Sequence, residues 1–204
     1  MKKRRVLSVV LAASMFAMLL TGCGGGNQGS AEGSQAAAIG QGVAEAESCI
    51  KIGVSGTPDL DPAIVNTGSS LIAAINIYDT LIFPSNEADE GVIPRVAEDW
   101  TISEDGLTYT FNLKKGIKFH NGDELTASDV VYSMDRLLTI GEGYAYIFTS
   151  YVEPGTTVAV DDYTVEFHLK QAYGPFINAL VRLYILNEDE VKANTQSAGN
   201  YGEN

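Results

Sequence analysis

The first 48 residues decide which part of this chain can fold. Residues 2–5 are basic, residues 6–20 form an almost wholly apolar run, and Gly, Ser, Ala and Gln dominate residues 23–46. The apolar run is short for a membrane-spanning helix, which needs about 20 residues, and is typical of a signal-peptide core. The stretch after it has no periodic apolar pattern from which a core could form. A globular body must therefore come from residues 49–204.

The end of the apolar run carries a short motif, Leu20-Thr21-Gly22-Cys23. It resembles the lipobox of bacterial lipoproteins, in which a small residue precedes a cysteine. The resemblance implies that signal peptidase recognises Leu20, Thr21 and Gly22, and that Cys23 receives a diacylglycerol and becomes the mature N-terminus. Two acyl chains hold a protein durably on a bilayer. The alternative is an ordinary secretory signal with a chance cysteine. We predict a signal peptide over 1–22 and a flexible tether over 23–48.

The charge of the chain argues against nucleic acid as a partner. Formal net charge is −13, and four of the 13 basic residues lie in the first five positions. Removal of the signal peptide therefore leaves an even more acidic chain, which repels phosphate backbones. Charged residues make up 19% and apolar residues 45% of the sequence, as in globular domains.

The pattern after residue 48 predicts an α+β fold with a meandering sheet. Alternating apolar residues predict a strand over 49–54, and two prolines and a glycine predict an irregular loop over 55–62. Ser69 or Ser70 is suited to cap a helix in which Leu71, Ile72, Ile75 and Tyr78 share one side. Further short strands are predicted over 81–83 and 185–186.

Turn signals predict two hairpins and three more helices. Asp105-Gly106 links a strand that includes 100–102 to a strand over 108–113, and Asp161-Asp162 links 157–160 to 164–169. A capping box at 126–129 starts a helix that buries Val130, Val131, Met134, Leu137 and Leu138. Pro175 suits the first turn of a further helix, and a short helix is predicted over 188–194.

Four consecutive motifs carry a family resemblance. They are PRVAEDW at 94–100, DGLTYTF at 105–111, LKKGIKFHNG at 113–122 and LTASDVVYS at 125–133. Together they resemble the signature of the family 5 extracellular solute-binding proteins, the oligopeptide-, dipeptide- and nickel-binding lipoproteins of ABC importers. The likeness extends over about residues 50–204.

The resemblance implies a periplasmic-binding-protein-like fold of type II, dipeptide-binding type. Family members are considerably longer than this chain, so it implies an N-terminal fragment with only the first lobe and its β-rich inserted subdomain. The expected pieces are 49–65 as the first segment of the lobe, 66–180 as the insertion and 181–204 as the start of the return.

Candidate ligand residues come from two places in the sequence. Thr57 and Asp59 follow the carboxyl end of the first predicted strand, where crevices form in open sheets. A plain turn held by Asx hydrogen bonds is the alternative. Tyr144 and Tyr146 follow a glycine-containing loop and are candidates to line a pocket, with packing in the interior as the alternative.

The sequence gives no support for catalysis or metal binding. His120, His168 and Cys49 are too scattered for the three or four ligands of a zinc site. Ser48 and Lys51 match a Ser-x-x-Lys pattern, but residues three apart in a strand point to opposite faces. Cys49 would be an unpaired thiol in an exported chain. We therefore expect neither catalytic residues, metal ligands nor a cofactor.

The functional expectation is a peptide-binding lipoprotein that serves an ABC importer. Its partners would be a peptide or other small solute, the permease subunits and a membrane reached through the lipid anchor. It would be exported and held on the outer face of the cell membrane, or on the periplasmic side of a membrane. Alternatives are the same fold binding nickel complexes or oligosaccharides, a lipid-tethered secreted hydrolase, and a non-transporting adhesin or receptor that reuses the fold.

Overall fold

The computed structural model describes residues 50–89 and 91–198. The predictions for Leu20, Thr21, Gly22, Cys23 and Cys49 lie outside these residues. In chain order the elements are α1 (Gly68–Ile77), β1 (Ile82–Pro84), β2 (Val92–Pro94), β3 (Ala97–Ile102), β4 (Thr108–Leu113), α2 (Ala127–Ile140), β5 (Thr157–Asp161), β6 (Thr164–His168), α3 (Phe176–Ala179) and α4 (Glu188–Ala198), with 3-10 turns at Ala145–Ile147 and Leu180–Arg182.

The main sheet has four antiparallel strands in the order β3-β4-β6-β5. Both predicted hairpins are confirmed, because β3 pairs with β4 and β5 with β6. Gly106 adopts a φ of 69° in the first turn, a conformation that glycine adopts without strain. The alternation in β4 buries Tyr109, Phe111 and Leu113 on one face, as predicted. The separate pair β1–β2 includes one strand, β2, that the sequence pattern did not indicate.

The core lies between the inner face of this sheet and α2. The backbone N–H of Thr126 donates to the Asp129 carboxylate (2.9 Å), which confirms the predicted capping box. Val130, Met134, Leu137 and Leu138 of α2 are buried, and Val131 is half-buried. Four fully buried phenylalanines fill the space behind the sheet: Phe111, Phe148, Phe167 and Phe176.

Several local predictions are wrong. Residues 50–54 form no strand, and Ile50, Ile52 and Val54 are exposed, since no strand in the described part of the chain pairs with them. Helix α1 begins two or three residues earlier than predicted, because Thr67 rather than Ser69 or Ser70 is its N-cap.

The buried face of α1 also differs from the prediction. Ser70 and Ala74 are buried, whereas Ile72 and Ile75 are 39% and 44% exposed. The strand predicted at 185–186 is reduced to a single bridge between Thr80 and Tyr184. Throughout the residues that the structure describes, no helix is both long enough and apolar enough for a membrane span.

Candidate functional site

The candidate site is built around the first turn of α1. Thr67 caps this turn by accepting a hydrogen bond from the Ser70 backbone N–H (3.1 Å) on its hydroxyl. The Ser70 side chain is buried and lies 2.8 Å from the Thr67 hydroxyl. It also accepts a hydrogen bond from the backbone N–H of Asp59 (2.9 Å). The loop that carries Asp59 is therefore fixed against the start of α1, while the Asp59 side chain stays exposed.

An ion pair holds the next part of this loop. Nη1 and Nη2 of Arg136, in α2, donate to the two carboxylate oxygens of Asp61 at 2.7 and 2.5 Å. Asp61 also accepts the backbone N–H of Ala63 (3.0 Å), which closes an Asx-type turn. The hydroxyl of Tyr78 donates to the carbonyl of Leu60 (2.9 Å). Both α1 and α2 thus anchor the segment 59–63.

The surroundings favour an ionised Asp61. Burial by itself raises the pKa of the Asp61 carboxyl. The hydrogen bonds from Arg136 and from the Ala63 backbone, together with the positive charge of Arg136, outweigh this effect and hold the pKa below its ordinary value. Burial raises the pKa of the Tyr78 hydroxyl, as does the nearby negative charge of Asp61. Tyr78 therefore stays a hydrogen-bond donor at neutral pH.

Aromatic residues form the other side of the site. Val65, Ala74 and Tyr184 make a small buried cluster, against which Tyr144 packs. The guanidinium of Arg182 lies over the Tyr144 ring, 5.0 Å from its centroid. The Tyr146 ring lies 6.5 Å from that of Tyr144. A half-buried ring, an exposed ring and a cation are thus adjacent.

The four ligand residues expected from the sequence therefore occupy different settings. Thr57 and Asp59 are exposed, Tyr144 is half-buried, and Tyr146 is 71% exposed. The structure brings Asp59 and Tyr144 to the same helix, Asp59 through Ser70 and Tyr144 through the cluster with Val65 and Ala74.

Sequence reasoning missed the residues that support this arrangement, which are Ser70, Tyr78, Arg136 and Arg182. For Ser70 the sequence indicates only a role as a helix cap. Arg136 is 75 positions from Asp61, and no local pattern could show that they pair.

A separate groove of about 380 Å³ opens at the C-terminal end of α1. Its wall is mostly apolar and includes Ile77, Ile117, Phe119, Ile185 and Val191. Polar groups also line it, among them Asp79, Lys118, His120 and Glu190. None of the residues expected to bind ligand lies in this groove.

The two histidines lie apart from each other. His120 lines the groove, and His168 in β6 lies with its Nε2 3.3 Å from a Glu166 carboxylate oxygen. Among the described residues, no three His, Cys, Asp or Glu side chains gather as metal ligands would.

Known proteins resemble this chain in both sequence and structure. The sequence model described as "Bacterial extracellular solute-binding proteins, family 5 Middle" matches residues 91–203, which is more than half of the chain. This chain belongs to that family. The match includes the four motifs at 94–133 and confirms their family resemblance. Members of this family are extracellular or periplasmic solute-binding proteins.

Two curated relatives show how far the likeness extends. The dipeptide-binding protein of Escherichia coli (strain K12) is 36% identical over 141 residues, which cover 60% of this chain and 26% of the relative. The di/tripeptide-binding protein 1 of Pseudomonas aeruginosa (strain UCBPP-PA14) is 32% identical over 136 residues, which cover 59% of this chain and 25% of the relative. The chain thus spans about a quarter of the length of these relatives.

A solved structure gives the same assignment. The ABC transporter-associated periplasmic binding protein DppA from Helicobacter pylori, in complex with the peptide STSA, superimposes with a TM-score of 0.58 at 31% identity. The match covers 68% of this chain and 30% of that protein. The predicted type II periplasmic-binding-protein-like fold is confirmed. The boundaries at 49–65, 66–180 and 181–204 stay predictions.

Proposed function

We propose that this chain is part of the solute-binding protein of an ABC importer and that its cargo is a short peptide. The relatives support this class of cargo, because two are named for dipeptides or tripeptides and a third was solved with a bound tetrapeptide. The observation that carries the proposal on this chain is that Asp59 and Tyr144 are both held against α1, Asp59 through Ser70 and Tyr144 through the cluster that includes Ala74. These groups are held by buried partners but remain at least partly open to solvent.

The chemistry of the site suits a zwitterionic peptide. The exposed carboxylate of Asp59 can attract an amino terminus, and the Arg182 guanidinium can attract a carboxylate. The partial positive charge at the start of α1 favours carbonyl oxygens or a carboxylate. Tyr146 offers the face of its ring as a contact surface. The tyrosine side chain has few rotatable bonds, so little conformational entropy is lost when a ligand orders it. Water between the ligand and the protein would allow different peptide side chains.

The proposed mechanism is capture by closure of two lobes. A ligand that contacts both lobes stabilises the closed form, and the closed form docks on the permease. The segments around α1 would supply one wall of the cleft. Capture of this kind changes no covalent bond in the peptide.

We also propose that Cys23 anchors the protein to the outer face of the cell membrane. The support is the order of features in the sequence: a basic start, an apolar run, small residues and then the cysteine. An anchor of two acyl chains would keep the binding protein near the permease.

Calorimetric titration of the full-length protein with peptides of defined length tests the proposed cargo. Binding of dipeptides to hexapeptides is expected, and the Tyr146→Ala variant should bind about tenfold more weakly. The matched control is Val160→Ala, which removes an exposed apolar side chain from the edge strand β5 and should bind as the wild type does. Binding of nickel complexes or oligosaccharides without peptide binding would refute the proposal. So would turnover of a chromogenic ester or glycoside.

A further inference from the structure

One buried charge joins the ligand-facing loop to α2. Arg136 is 9% exposed, and its pairing with Asp61 spans 75 positions of sequence. Desolvation of a buried arginine is costly even when, as here, the partner carboxylate stays 35% exposed, and apolar side chains of similar size often give equal or greater stability. Stability alone therefore does not account for an arginine at this position.

The contacts around Asp61 show what the ion pair holds. On the N-terminal side, the backbone N–H of Asp59 donates to the side chain of Ser70 in α1. The carbonyl of Leu60 accepts a hydrogen bond from the hydroxyl of Tyr78, the residue that follows α1. On the C-terminal side, Ala63 is bonded to Asp61 itself and is buried. Arg136 thus ties this segment to α2, in addition to the contacts with α1.

Helix α2 also sets the position of Tyr144. The helix ends at Ile140, Gly141 caps it, and Tyr144 follows three residues later. Between Gly141 and Tyr144, Gly143 lies so close to the segment 59–63 that a Cβ at Gly143 would be 2.6 Å from the Ala63 carbonyl oxygen. Arg136 and Tyr144 are therefore both positioned by α2, Arg136 within the helix and Tyr144 just after its end.

We propose that Arg136 is a positioning residue for ligand capture, which holds the backbone at Asp59 in register with Tyr144 through its two-point ion pair with Asp61. This inference rests on the proposed function. The buried side chain of Arg136 would keep Asp59 and Tyr144, the two sides of the site, at a fixed separation.

The pairing geometry makes the inference specific to arginine. A guanidinium has a planar set of donors that matches both oxygens of a carboxylate, whereas an ammonium group is a point charge on a flexible stem. Lysine at position 136 would keep the charge but would lose the second hydrogen bond and the fixed orientation. If charge alone mattered, lysine would suffice.

The test compares four variants of the full-length protein by peptide titration, thermal melting and hydrogen exchange. Arg136→Lys, Arg136→Gln and Asp61→Asn should each weaken peptide binding about tenfold, as coupling through residues outside a binding site commonly does. Amide exchange over residues 59–63 should become faster in all three. Lys170→Gln is the control, because it removes an ion pair with Glu153 on an exposed surface and should leave peptide affinity unchanged.

The outcomes separate positioning from stability. A folded Arg136→Lys protein with a nearly normal melting temperature, weak peptide binding and fast exchange over 59–63 supports the inference. Peptide binding equal to the wild type in Arg136→Lys or Asp61→Asn overturns the inference and leaves the proposed function intact. A wild-type protein that binds no peptide overturns the proposed function and the inference with it.

Discussion

Gly143 lies where the chain leaves α2 and crosses the loop that carries Ala63 and Val65. Its φ is 52°, and a Cβ would lie 2.6 Å from the Ala63 carbonyl oxygen and 3.1 Å from that of Val65. Alanine would therefore bring an unfavourable backbone conformation, a collision with the Ala63 carbonyl oxygen and a tight contact with that of Val65. We expect Gly143→Ala to lower the free energy of unfolding by about 2–4 kcal/mol, measured by chemical denaturation.

Gly155→Ala is the control that separates these two effects. Gly155 also has a positive φ of 80°, but a Cβ there would meet no atom within 4 Å. Only the backbone term remains, so the expected loss is about 1–2 kcal/mol. Equal losses in both variants would show that the close approach at Gly143 costs nothing.

At the scale of elements, one carboxylate connects two helices. Asp129 Oδ2 accepts the backbone N–H of Thr126 at the start of α2, and Oδ1 accepts that of Glu188 at the start of α4 (both 2.9 Å). Each cap of this kind contributes about 1 kcal/mol. Asp129→Ala should therefore destabilise the protein by about 2 kcal/mol, and Asp129→Asn, which keeps one acceptor oxygen, by about half as much.

Thermal and chemical denaturation of the two variants would measure this double cap. Ser128→Ala is a suitable control, because Ser128 is exposed in the same turn and should change the stability by less than about 0.5 kcal/mol. If Asp129→Asn were as unstable as Asp129→Ala, the two caps would not be separable contributions.

The hairpins and α2 were predictable because their signals are local. Asp105-Gly106 and Asp161-Asp162 specify turns, and the capping box at 126–129 specifies a helix start, without reference to distant residues. The alternation of β4 also identified its buried face correctly. These features depend on a few neighbouring residues, which the sequence places side by side.

The errors arose where structure depends on partners far along the chain. The alternation over 50–54 predicts a strand only if another strand offers its backbone groups, and none does so in the described residues. Ile72 and Ile75 belong to an apolar pattern, but α1 buries Ser70 and Ala74 instead. The small side chain at 74 allows close packing on Val65 and Tyr184. Asp59 and Tyr144 could be selected from their local sequence setting. Their support by Ser70 and Arg136 could not be predicted, because it depends on contacts between residues far apart in the chain.

At the scale of the whole molecule, the acylated cysteine is the part of the proposal that rests on sequence alone. The chain contains two cysteines, Cys23 and Cys49, and only Cys23 follows an apolar run and small residues. Processing as a lipoprotein would therefore add lipid to Cys23 and leave Cys49 unmodified. After expression in a bacterial host fed labelled fatty acid, the wild type and Cys49→Ser should incorporate the label, whereas Cys23→Ser should not.

The label is a sharper readout than membrane association, because an unprocessed precursor could stay in the membrane through the apolar residues 6–20. Two acyl chains provide durable anchoring, so a detergent-phase partition of the labelled mature protein should accompany the label. Mass spectrometry of the mature N-terminus should find diacylglycerol on Cys23 in the wild type and in Cys49→Ser alike. Label that persists in Cys23→Ser, or a mature wild-type protein that begins at another residue without lipid, would refute the anchor and leave peptide capture to be carried out by a freely diffusing binding protein.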